Sequence, residues 1–518
     1  MTNFAKPPCR RARWLLAAGL CTVVPPVHAQ FENDASRTEP GNPFDLAIAH
    51  PLWDVFAPRL HPGARRATDR APDAGSAQPA GVLQTGDFAA WPALFAAPGL
   101  TVKGSVTGTL GLFAMRDNQF VLPPPQVTPA YREDPGWGEF FLEPGVTVQY
   151  RLAPALQLYG GAAYMETGTR GTDYDGVANT YHGDMEQLYA GARWSDAASG
   201  VKLDASYGQQ DYSVGRSLLV ASGASNGPQR GANYIGPRAA WANAVLLRAS
   251  WRDVTAEGFW LKPNETTSGY TGTRLTGINV QWTGPGPLRL GAMYAYVPDA
   301  AIATREGLNV YNVRARLHPI ASAPQAWVQG EVAWERKDGV SADGWYAALN
   351  YNAQDAQWKP LVTVRYASFS GDKPGTPTWE GFDPLFYGGS DPDWYQGKLG
   401  STLFSNTNLD SVAVSLTLAP NERNLLQLIY LGFAAAQVDA PLAIPAPGKP
   451  IPVGGGVPAR ALASEVDAVW TYTFGKQVNV NAFAAWAAPG AGYRQLYESQ
   501  GGRAQNWWIL GTQLNISY

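Results

Sequence analysis

Residues 507–518 read WWILGTQLNISY, and this C-terminal stretch decides the fold. Large apolar or aromatic side chains stand at Trp508, Leu510 and Leu514, with Thr512, Ile516 and Tyr518 completing the same set of alternate positions. The positions between them, from Gly511 onward, hold small or polar residues. A repeat of two residues over this length is typical of a β-strand with one apolar and one polar face.

The same repeat recurs along most of the chain from Leu100 onward. Residues 411–418 read SVAVSLTL, in which Val and Leu alternate with Ser, Ala and Thr. In residues 325–335 and 465–474, one face of the predicted strand holds Val and Trp, and the other face holds Gln, Glu, Asp or Thr. Roughly eighteen such segments follow one another, each near the ~10 residues that a tilted strand needs to cross the hydrocarbon, and sixteen is the alternative count.

Aromatic residues near strand ends indicate which face meets lipid. A soluble barrel would place its apolar face inside, whereas aromatic girdles around a polar lumen are typical of a transmembrane barrel. Backbone groups in lipid must pair internally, so the sheet must close. We expect Trp241 and Trp251 to bracket one apolar face and Trp345 and Tyr351 another. Further aromatic residues near strand ends are Trp334, Trp470, Phe474 and Trp486.

Loop lengths predict the two ends of this barrel. Short connections after Trp251 and Asn352 are typical of periplasmic turns, whereas residues 371–394 and 437–464 are long and rich in Gly and Pro. We expect the long segments to be external or folded into the lumen. The fold class is therefore predicted as all-β, a transmembrane antiparallel β-barrel of about eighteen strands with long extracellular loops.

The N-terminal region has a different texture. A basic start (Lys6, Arg10, Arg11 and Arg13), a short apolar core at residues 14–24 and an A-x-A-like site ending at Ala29 predict a cleaved signal peptide over residues 1–29. Residues 30–99 show little alternation and are predicted to form a largely flexible periplasmic extension, with a lumen plug as the alternative. Residues 100–518 are predicted to form the barrel.

Composition excludes several classes of function. Both cysteines, Cys9 and Cys21, lie in the predicted signal peptide, which excludes disulfides and zinc–thiolate sites from the mature chain. Without the four basic residues of that peptide, 35 basic residues face 42 acidic ones, a net charge of −7 with neutral histidines. A mildly acidic chain is not a general nucleic-acid binder. No later segment has ~18 consecutive apolar residues, so no transmembrane helix is expected.

Enzymatic motifs are weak. The G-x-S-x-G match at residues 223–227 lies in a Gly/Ser-rich loop without the strand–turn–helix context of a nucleophile elbow. Four scattered histidines remain in the mature chain, and none has a suggestive spacing to a serine or carboxylate. Asp173 and Asp175 are expected to be solvated loop charges rather than calcium ligands. The sequence therefore predicts neither an enzyme nor a cofactor, with an outer-membrane barrel enzyme or an adhesion surface as distant alternatives.

The polar faces carry more basic residues than solubility requires. By strand parity the expected lumen cations are Lys103, Arg151, Arg193, Lys202, Arg248, Arg314, Arg316 and Arg365. The acids assigned to the same side are Asp204, Glu331, Glu335, Glu465 and Asp467. Rings of Arg and Lys in a pore favour anions, and planar guanidinium groups suit carboxylates. The alternative is that these cations are ordinary wall charges paired with acids across strands.

Several stretches resemble the alginate export family of outer-membrane porins. The most specific run joins FDPLFYG at residues 382–388, WYQG at 394–397 and FSNTN at 404–408. Weaker matches are EQLY at 186–189, GRS at 215–217 and RAAWANA at 238–244. The resemblance covers roughly residues 100–518. Ser217 stands where the family tends to have Gln, and the extension before residue 100 is longer than the family requires.

This resemblance implies a monomeric barrel of eighteen strands whose Arg-rich constriction passes an anionic uronic-acid polymer. Arg216 is the residue carried over through a motif, and it joins the eight cations assigned by parity as an expected substrate contact. The expected function is a channel for an anionic, alginate-like polysaccharide or oligosaccharide, with a general or small-solute diffusion porin as the alternative. Expected partners are outer-membrane lipid and lipopolysaccharide and the barrel-insertion machinery, with no nucleic acid.

Overall fold

The computed structural model describes residues 92–121, 132–221, 223–227, 229–267, 269–320, 322–388, 395–444, 451–453, 456–475, 477–499 and 501–518. All of them belong to one compact unit, Phe44–Tyr518. The predicted signal peptide, residues 1–29, and the predicted extension up to residue 91 lie outside the described residues.

Eighteen antiparallel strands form the barrel wall and are numbered here in chain order. Each pairs with its neighbours along the chain, and β18 returns to pair with β1, where Leu514 lies opposite Leu110. The predicted closed barrel is therefore confirmed, with eighteen strands rather than sixteen. From β1 to β18 the strands are Leu100–Arg116, Gly136–Ala153, Leu156–Gly171, Tyr181–Asp196, Val201–Gln210, Trp241–Trp251, Val254–Lys262, Arg274–Trp282, Leu288–Asp299, Asn309–Leu317, Ala326–Lys337, Val340–Asn352, Leu361–Phe369, Leu409–Asn421, Asn424–Ala434, Ala461–Thr473, Val478–Pro489 and Trp507–Ser517.

The alternation of side chains has the orientation expected for a membrane barrel. On β18, Leu510 is 62% exposed on the outside, whereas Gln513 and Asn515 are buried on the inside. Trp345 and Tyr351 are likewise exposed on the outside of β12. Water is absent from the hydrocarbon core, so these apolar side chains face lipid while the closed ladder satisfies the backbone.

Trp241 differs from its predicted place in the outer girdle. It is fully buried, and its indole Nε1 donates to the carbonyl of Tyr212 at 2.9 Å. The register between β5 and β6 shifts between Gly208 and Gln210. The N-terminal residues of β6, including Trp241, therefore face the opposite way from what strict alternation along the rest of the strand would give. A bulge of this kind re-aims a side chain, and it turns Trp241 inward while Trp251 remains 49% exposed.

The barrel has one end with short turns and one with long loops. The even-numbered strands β2 to β16 lead into connections of two to eight residues, and this end is called the short-turn end. At the other, the long-loop end, connections run from nine to 39 residues, except for the two-residue turn Asp338-Gly339. Gly339 has a φ of +72°, as a tight hairpin turn requires. The N-terminus of β1 and the C-terminus of β18 both lie at the short-turn end.

Minor elements complete the described chain. The short strand Ala93–Ala97 pairs with the beginning of β1, and Leu442–Ile444 pairs with Ile451–Val453. Helix α1 (Gly400–Leu403) lies between β13 and β14, and α2 (Ala491–Ser499) lies between β17 and β18. A 3₁₀ turn covers Asn118–Phe120. No helix in the described part of the chain has the length and hydropathy to cross a bilayer.

Two long connections fold into the barrel interior. The first lumen loop is residues 211–240, between β5 and β6, and the second lumen loop is residues 370–408, between β13 and β14. They meet as a short parallel pairing, in which Phe386 N–H donates to Leu219 O at 3.0 Å and Ala221 N–H donates to Phe386 O at 2.9 Å. Val220 and Leu385, at this contact, are buried. The loops therefore form one packed body inside the wall.

Candidate functional site in the barrel lumen

A row of polar side chains runs around the lumen wall near the short-turn end. The row extends to Arg314 on β10, because Arg314 Nη2 donates to Oδ1 of Asn279, which is the member of the row on β8. Parity predicted that these arginines face inward, and the strand register brings them side by side. The members that face one another across neighbouring strands, from β2 to β8, are Arg151, Gln157, Arg193, Asp204, Arg248, Glu257 and Asn279.

Two arginines of this row form ion pairs. Arg193 Nε donates to Asp204 Oδ2 at 2.6 Å, and its guanidinium carbon lies 4.2 Å from the centroid of the Tyr159 ring. Tyr159 donates its hydroxyl to the other oxygen of Asp204 at 2.7 Å. Arg248 Nε donates to Glu257 Oε1 at 2.7 Å. These two cations have the cross-strand acid partners that the wall-charge alternative requires.

Arg314 and Arg316 project from β10 beside amide and aromatic side chains. Arg314 Nη1 donates to Asn312 Oδ1 at 3.0 Å, while its Nε has no hydrogen-bond partner among the described residues. The guanidinium carbon of Arg316 lies 4.7 Å from the centroid of the Trp327 ring. Both side chains are buried. A guanidinium stacked on an aromatic face keeps its edge donors directed sideways, where a planar anion can be bound.

The remaining wall cations lie at different depths. Arg365 on β13 is buried away from the row, and its Nη2 donates to Ser411 Oγ at 3.3 Å. Lys103 and Lys202 are half-buried near the short-turn end, and Arg151 is exposed there. The structure therefore joins Arg193, Arg248, Arg314 and Arg316 into one region and leaves the others around it.

Arg216 lies on the first lumen loop rather than on the wall. Its backbone N–H donates to the carboxylate of Glu331, which holds this part of the loop against β11. The preceding Gly215 has a φ of +60°, and a Cβ there would come within 2.7 Å of Arg314 Cδ. Only glycine fits this backbone and this approach. Arg216 is thus placed beside the arginine region, and its role in binding substrate stays a prediction.

Wall carboxylates toward the long-loop end hold the lumen loops by their backbones. Glu139 accepts hydrogen bonds from the N–H groups of Tyr234 and Ile235, at 3.1 and 2.8 Å. Glu186 accepts them from Ala239 and Ala240, at 2.8 and 2.9 Å. A buried backbone N–H group without an acceptor is costly, so each carboxyl group fixes the two N–H groups that it accepts. These two acids therefore anchor the end of the first lumen loop.

The second lumen loop is held in the same way by acids on β11 and β16. Glu465 accepts hydrogen bonds from the N–H groups of Leu399 and Gly400, at 2.8 and 2.7 Å. Asp467 accepts one from Lys398 N–H at 3.1 Å, and Glu335 accepts one from Asp383 N–H at 2.8 Å. These acids were expected in the lumen, and the structure assigns them to the support of a loop.

Buried cations on the loops were not anticipated from the sequence. Arg238 pairs with Glu186 (Nη1 to Oε2, 3.2 Å), and Arg305 forms a two-pronged pair with Asp383. Burial lowers the pKa of Lys398 well below its usual range, an effect opposed by Asp467 and Glu465. Strand parity cannot assign loop side chains. Arg238 and Asp383 do fall within stretches that carry the family resemblance.

Asp173 departs from the expectation of a solvated loop charge. It is fully buried in the loop that joins β3 and β4. There its Oδ1 accepts hydrogen bonds from the N–H groups of Asp175 and Val177, at 3.0 and 2.7 Å. Burial, followed by the charges of Asp175 and Glu139, raises the pKa of Asp173 to about 8. The expectation was wrong because the loop turns this side chain inward to cap its own backbone. No group of three or more His, Cys, Asp or Glu side chains in the described ranges is placed to hold a metal ion.

A closed barrel with a lipid-facing apolar exterior, a polar lumen and inward-folded loops is the architecture of an outer-membrane channel. The family model described as alginate export matches residues 162–506, more than half of the chain. The chain belongs to this alginate export family, and it is an outer-membrane protein. The resemblance noted in the sequence is thereby confirmed.

Solved structures with a similar fold include OccAB2 of Acinetobacter baumannii, at 13% identity and a TM-score of 0.48 over 80% of this chain and 98% of that chain. OccK7 (OpdD) of Pseudomonas aeruginosa matches at 11% identity and a TM-score of 0.46, over 80% and 98% of the two chains. OccK5 (OpdH) of the same organism matches at 10% identity and 0.45, over 80% and 97%. No match was found among curated protein sequences.

Proposed function

We propose that the channel passes an anionic saccharide, of the uronic-acid type, along the arginine region of its lumen. The observation that carries the proposal is the grouping of Arg193, Arg248, Arg314 and Arg316 on neighbouring strands near the short-turn end. A planar guanidinium binds a carboxylate through two parallel hydrogen bonds. A chain of sugar carboxylates would exchange between these groups as it moves.

The side chains around the arginines suit a sugar acid as well as a simple anion. Amide groups of Asn279, Asn312 and Gln329 lie on the same wall and can exchange hydrogen bonds with sugar hydroxyls. Tyr159 and Trp327 already stack on Arg193 and Arg316, which presents rigid cationic surfaces. The eighteen strands close within one chain, which supports a channel formed by a monomer.

Conduction requires that each site hold its anion weakly. In the arginine row, Asp204 and Glu257 already neutralise Arg193 and Arg248. An incoming carboxylate must therefore compete with a wall carboxylate, which limits its affinity at that point. Multiple weak sites in sequence allow passage, whereas one strong site would trap the anion.

A general or small-solute diffusion porin is the second candidate. The same two ion pairs favour it, because paired wall charges leave less excess positive charge to select an anion. Under this alternative the arginines would be structural, and the channel would not distinguish a uronic acid from a neutral sugar of equal size.

Recordings from the purified protein in planar bilayers separate the two candidates. We expect chloride to be preferred over potassium in a salt gradient, and oligogalacturonate to block the current more strongly than neutral malto-oligosaccharides of equal length. The double variant Arg314→Gln/Arg316→Gln should weaken the block by at least about tenfold, since a charge-assisted hydrogen bond contributes ~1.5–3 kcal/mol. Arg116→Gln, whose side chain is 78% exposed at the long-loop end, is the matched control. A cation-selective pore indifferent to uronates would contradict the proposal.

A further inference from the structure

We infer that the lumen is polarised along its axis, so that an anionic chain is captured from the short-turn end and only poorly from the long-loop end. The inference rests on the proposed function and adds a direction to it. It follows from the heights at which the inward-facing charges of the barrel strands lie.

Nearly all inward-facing cations lie close to the short-turn end. The strands of the barrel are described in full, and ten of their inward-facing residues are Lys or Arg. Nine lie within the five strand residues nearest the short turns, and Lys337, at the far end of β11, is the exception. The nine are Lys103, Arg151, Arg193, Lys202, Arg248, Arg289, Arg314, Arg316 and Arg365.

The inward-facing acids have the opposite distribution. Of nine buried, inward-facing acids on the barrel strands, only Asp204 and Glu257 lie within the same five residues of the short-turn end. The other seven lie six or more strand residues from it, and they are Glu139, Glu143, Glu186, Glu331, Glu335, Glu465 and Asp467. Counting only the ten cations and these nine buried acids, the formal charge is +7 in the zone beside the short turns and −6 beyond it.

The acids beyond this zone are largely committed to the lumen loops. Glu139, Glu186 and Glu465 each accept two loop N–H groups, and Glu335 and Asp467 each accept at least one. The loops cover these carboxylates from the centre of the lumen. An anion approaching from the long-loop end meets this acid-lined, loop-filled part of the lumen before it meets the arginine region.

The cationic zone is accessible at its outer edge. Arg151 is exposed, and Lys103 and Lys202 are half-buried, whereas Arg314, Arg316 and Arg365 are buried. An anion arriving from the short-turn end therefore meets accessible cationic side chains at the edge of this zone, beside the buried arginines. Charge of one sign at the mouth of a cleft concentrates the opposite ion and raises association rates by ~10–10³-fold.

The test compares block from the two sides of single, oriented channels. Ser199→Cys, in the short turn between β4 and β5, gives the mature chain one thiol, and a charged thiol reagent added to one chamber identifies the side on which that turn lies. We expect oligogalacturonate to associate at least about tenfold faster from the short-turn side. Lys103→Gln/Lys202→Gln should remove most of that difference without changing the rate from the long-loop side. The matched control is Lys337→Gln, the inward cation at the opposite end, which should leave the difference in place.

The possible results have distinct meanings. Equal association rates from both sides, with anion preference intact, would overturn the axial polarity and leave the proposed function standing. No block from either side, together with cation selectivity, would overturn the proposed function and the inference with it. Unchanged migration of the unheated variants in denaturing gels verifies that each barrel is folded.

Discussion

The same carboxylate chemistry serves two purposes in this lumen, depending on where the residue stands. Asp204 lies opposite Arg193 and accepts a hydrogen bond from its guanidinium group, so the charges of the two side chains are paired directly. Glu465, farther from the short turns, accepts hydrogen bonds from two backbone N–H groups of the second lumen loop instead. An acid in a barrel wall is therefore stabilised by whatever donors the fold brings to its height.

Asp173 gives a pH-dependent prediction at the scale of one residue. Its folded pKa of about 8 exceeds the unfolded value, so the folded loop binds the extra proton between roughly pH 4 and pH 8. The stability of residues 172–180 should fall as pH rises through that window and level off above it, by up to ~1.4 kcal/mol per pH unit. Amide hydrogen exchange of this loop, corrected for intrinsic rates, measures the effect.

Asp173→Asn is the comparison for that measurement. The amide keeps an acceptor for the N–H groups of Asp175 and Val177 but cannot ionise, so the pH dependence of exchange should flatten. Asp196→Asn, at the last residue of β4 beside a short turn, should leave the dependence unchanged. A wild-type loop whose corrected exchange is constant from pH 4 to 8 would show that Asp173 is already ionised.

At the scale of elements, the inward-folded loops depend on distant strands for their position. The second lumen loop leaves the wall after β13, yet Asp467 and Glu465, which hold it, lie on β16. Gly397 has a φ of +90°, and a Cβ there would lie 2.4 Å from the carboxylate of Glu465, so the loop requires glycine at this approach. Tyr395 donates its hydroxyl to Asp467 at 2.6 Å and adds a side-chain contact.

Removing one acceptor oxygen of Glu465 should loosen the second lumen loop. In Glu465→Gln one side-chain oxygen becomes an NH2 group that cannot accept, so one of the N–H groups of Leu399 and Gly400 loses its acceptor, at a cost of ~1–3 kcal/mol for the docked loop. Lys398, which is fully buried, then becomes accessible to trypsin. We expect cleavage after Lys398, followed by mass spectrometry, to be about five- to one-hundred-fold faster than in the wild type.

The control for this loop is Glu166→Gln, an exposed acid on the lipid-facing side of β3, which should not alter the cleavage rate. Cleavage after the exposed Arg503, in the connection between β17 and β18, serves as an internal reference. Equal rates at Lys398 in Glu465→Gln and the wild type would mean that packing of the loop, and not the carboxylate, holds it in place.

At the scale of the whole molecule, an acidic chain contains a basic compartment. The predicted mature chain carries a net charge of −7, yet the wall zone beside the short turns is formally +7. Closing the sheet separates residues that alternate along every strand into a lipid-facing set and a lumen set. The lumen charge is therefore decided by position, and the net charge of the chain does not report it.

This compartment predicts a salt-dependent ion preference. The Debye length falls from ~10 Å at 0.1 M to ~3 Å at 1 M salt, so the wall charges act across the lumen only in dilute salt. The permeability ratio of chloride to potassium, obtained from reversal potentials, should exceed one near 0.1 M KCl and approach one near 1 M. Lys103→Gln/Lys202→Gln should lower the ratio in dilute salt alone. A ratio independent of ionic strength would place the selectivity in direct contacts instead of the field.

Sequence by itself determined the strands, their faces and the closure of the barrel. Residues 507–518 alternate because one face of that strand meets lipid and the other meets the lumen, and this requirement acts on each strand separately. Parity also placed Arg193, Arg248, Arg314 and Arg316 on the lumen side. It failed at Trp241, where a bulge changes the parity within one strand.

Tertiary structure alone decided which inward residues meet. The pairs Arg193–Asp204 and Arg248–Glu257 depend on the register between neighbouring strands, and the alternation within one strand does not determine that register. The positions of Arg216, Arg238 and Lys398 depend on how two irregular loops pack inside the wall, where no periodicity applies. The axial separation of charge depends on which end of each strand becomes a short turn, and that is a property of the closed barrel.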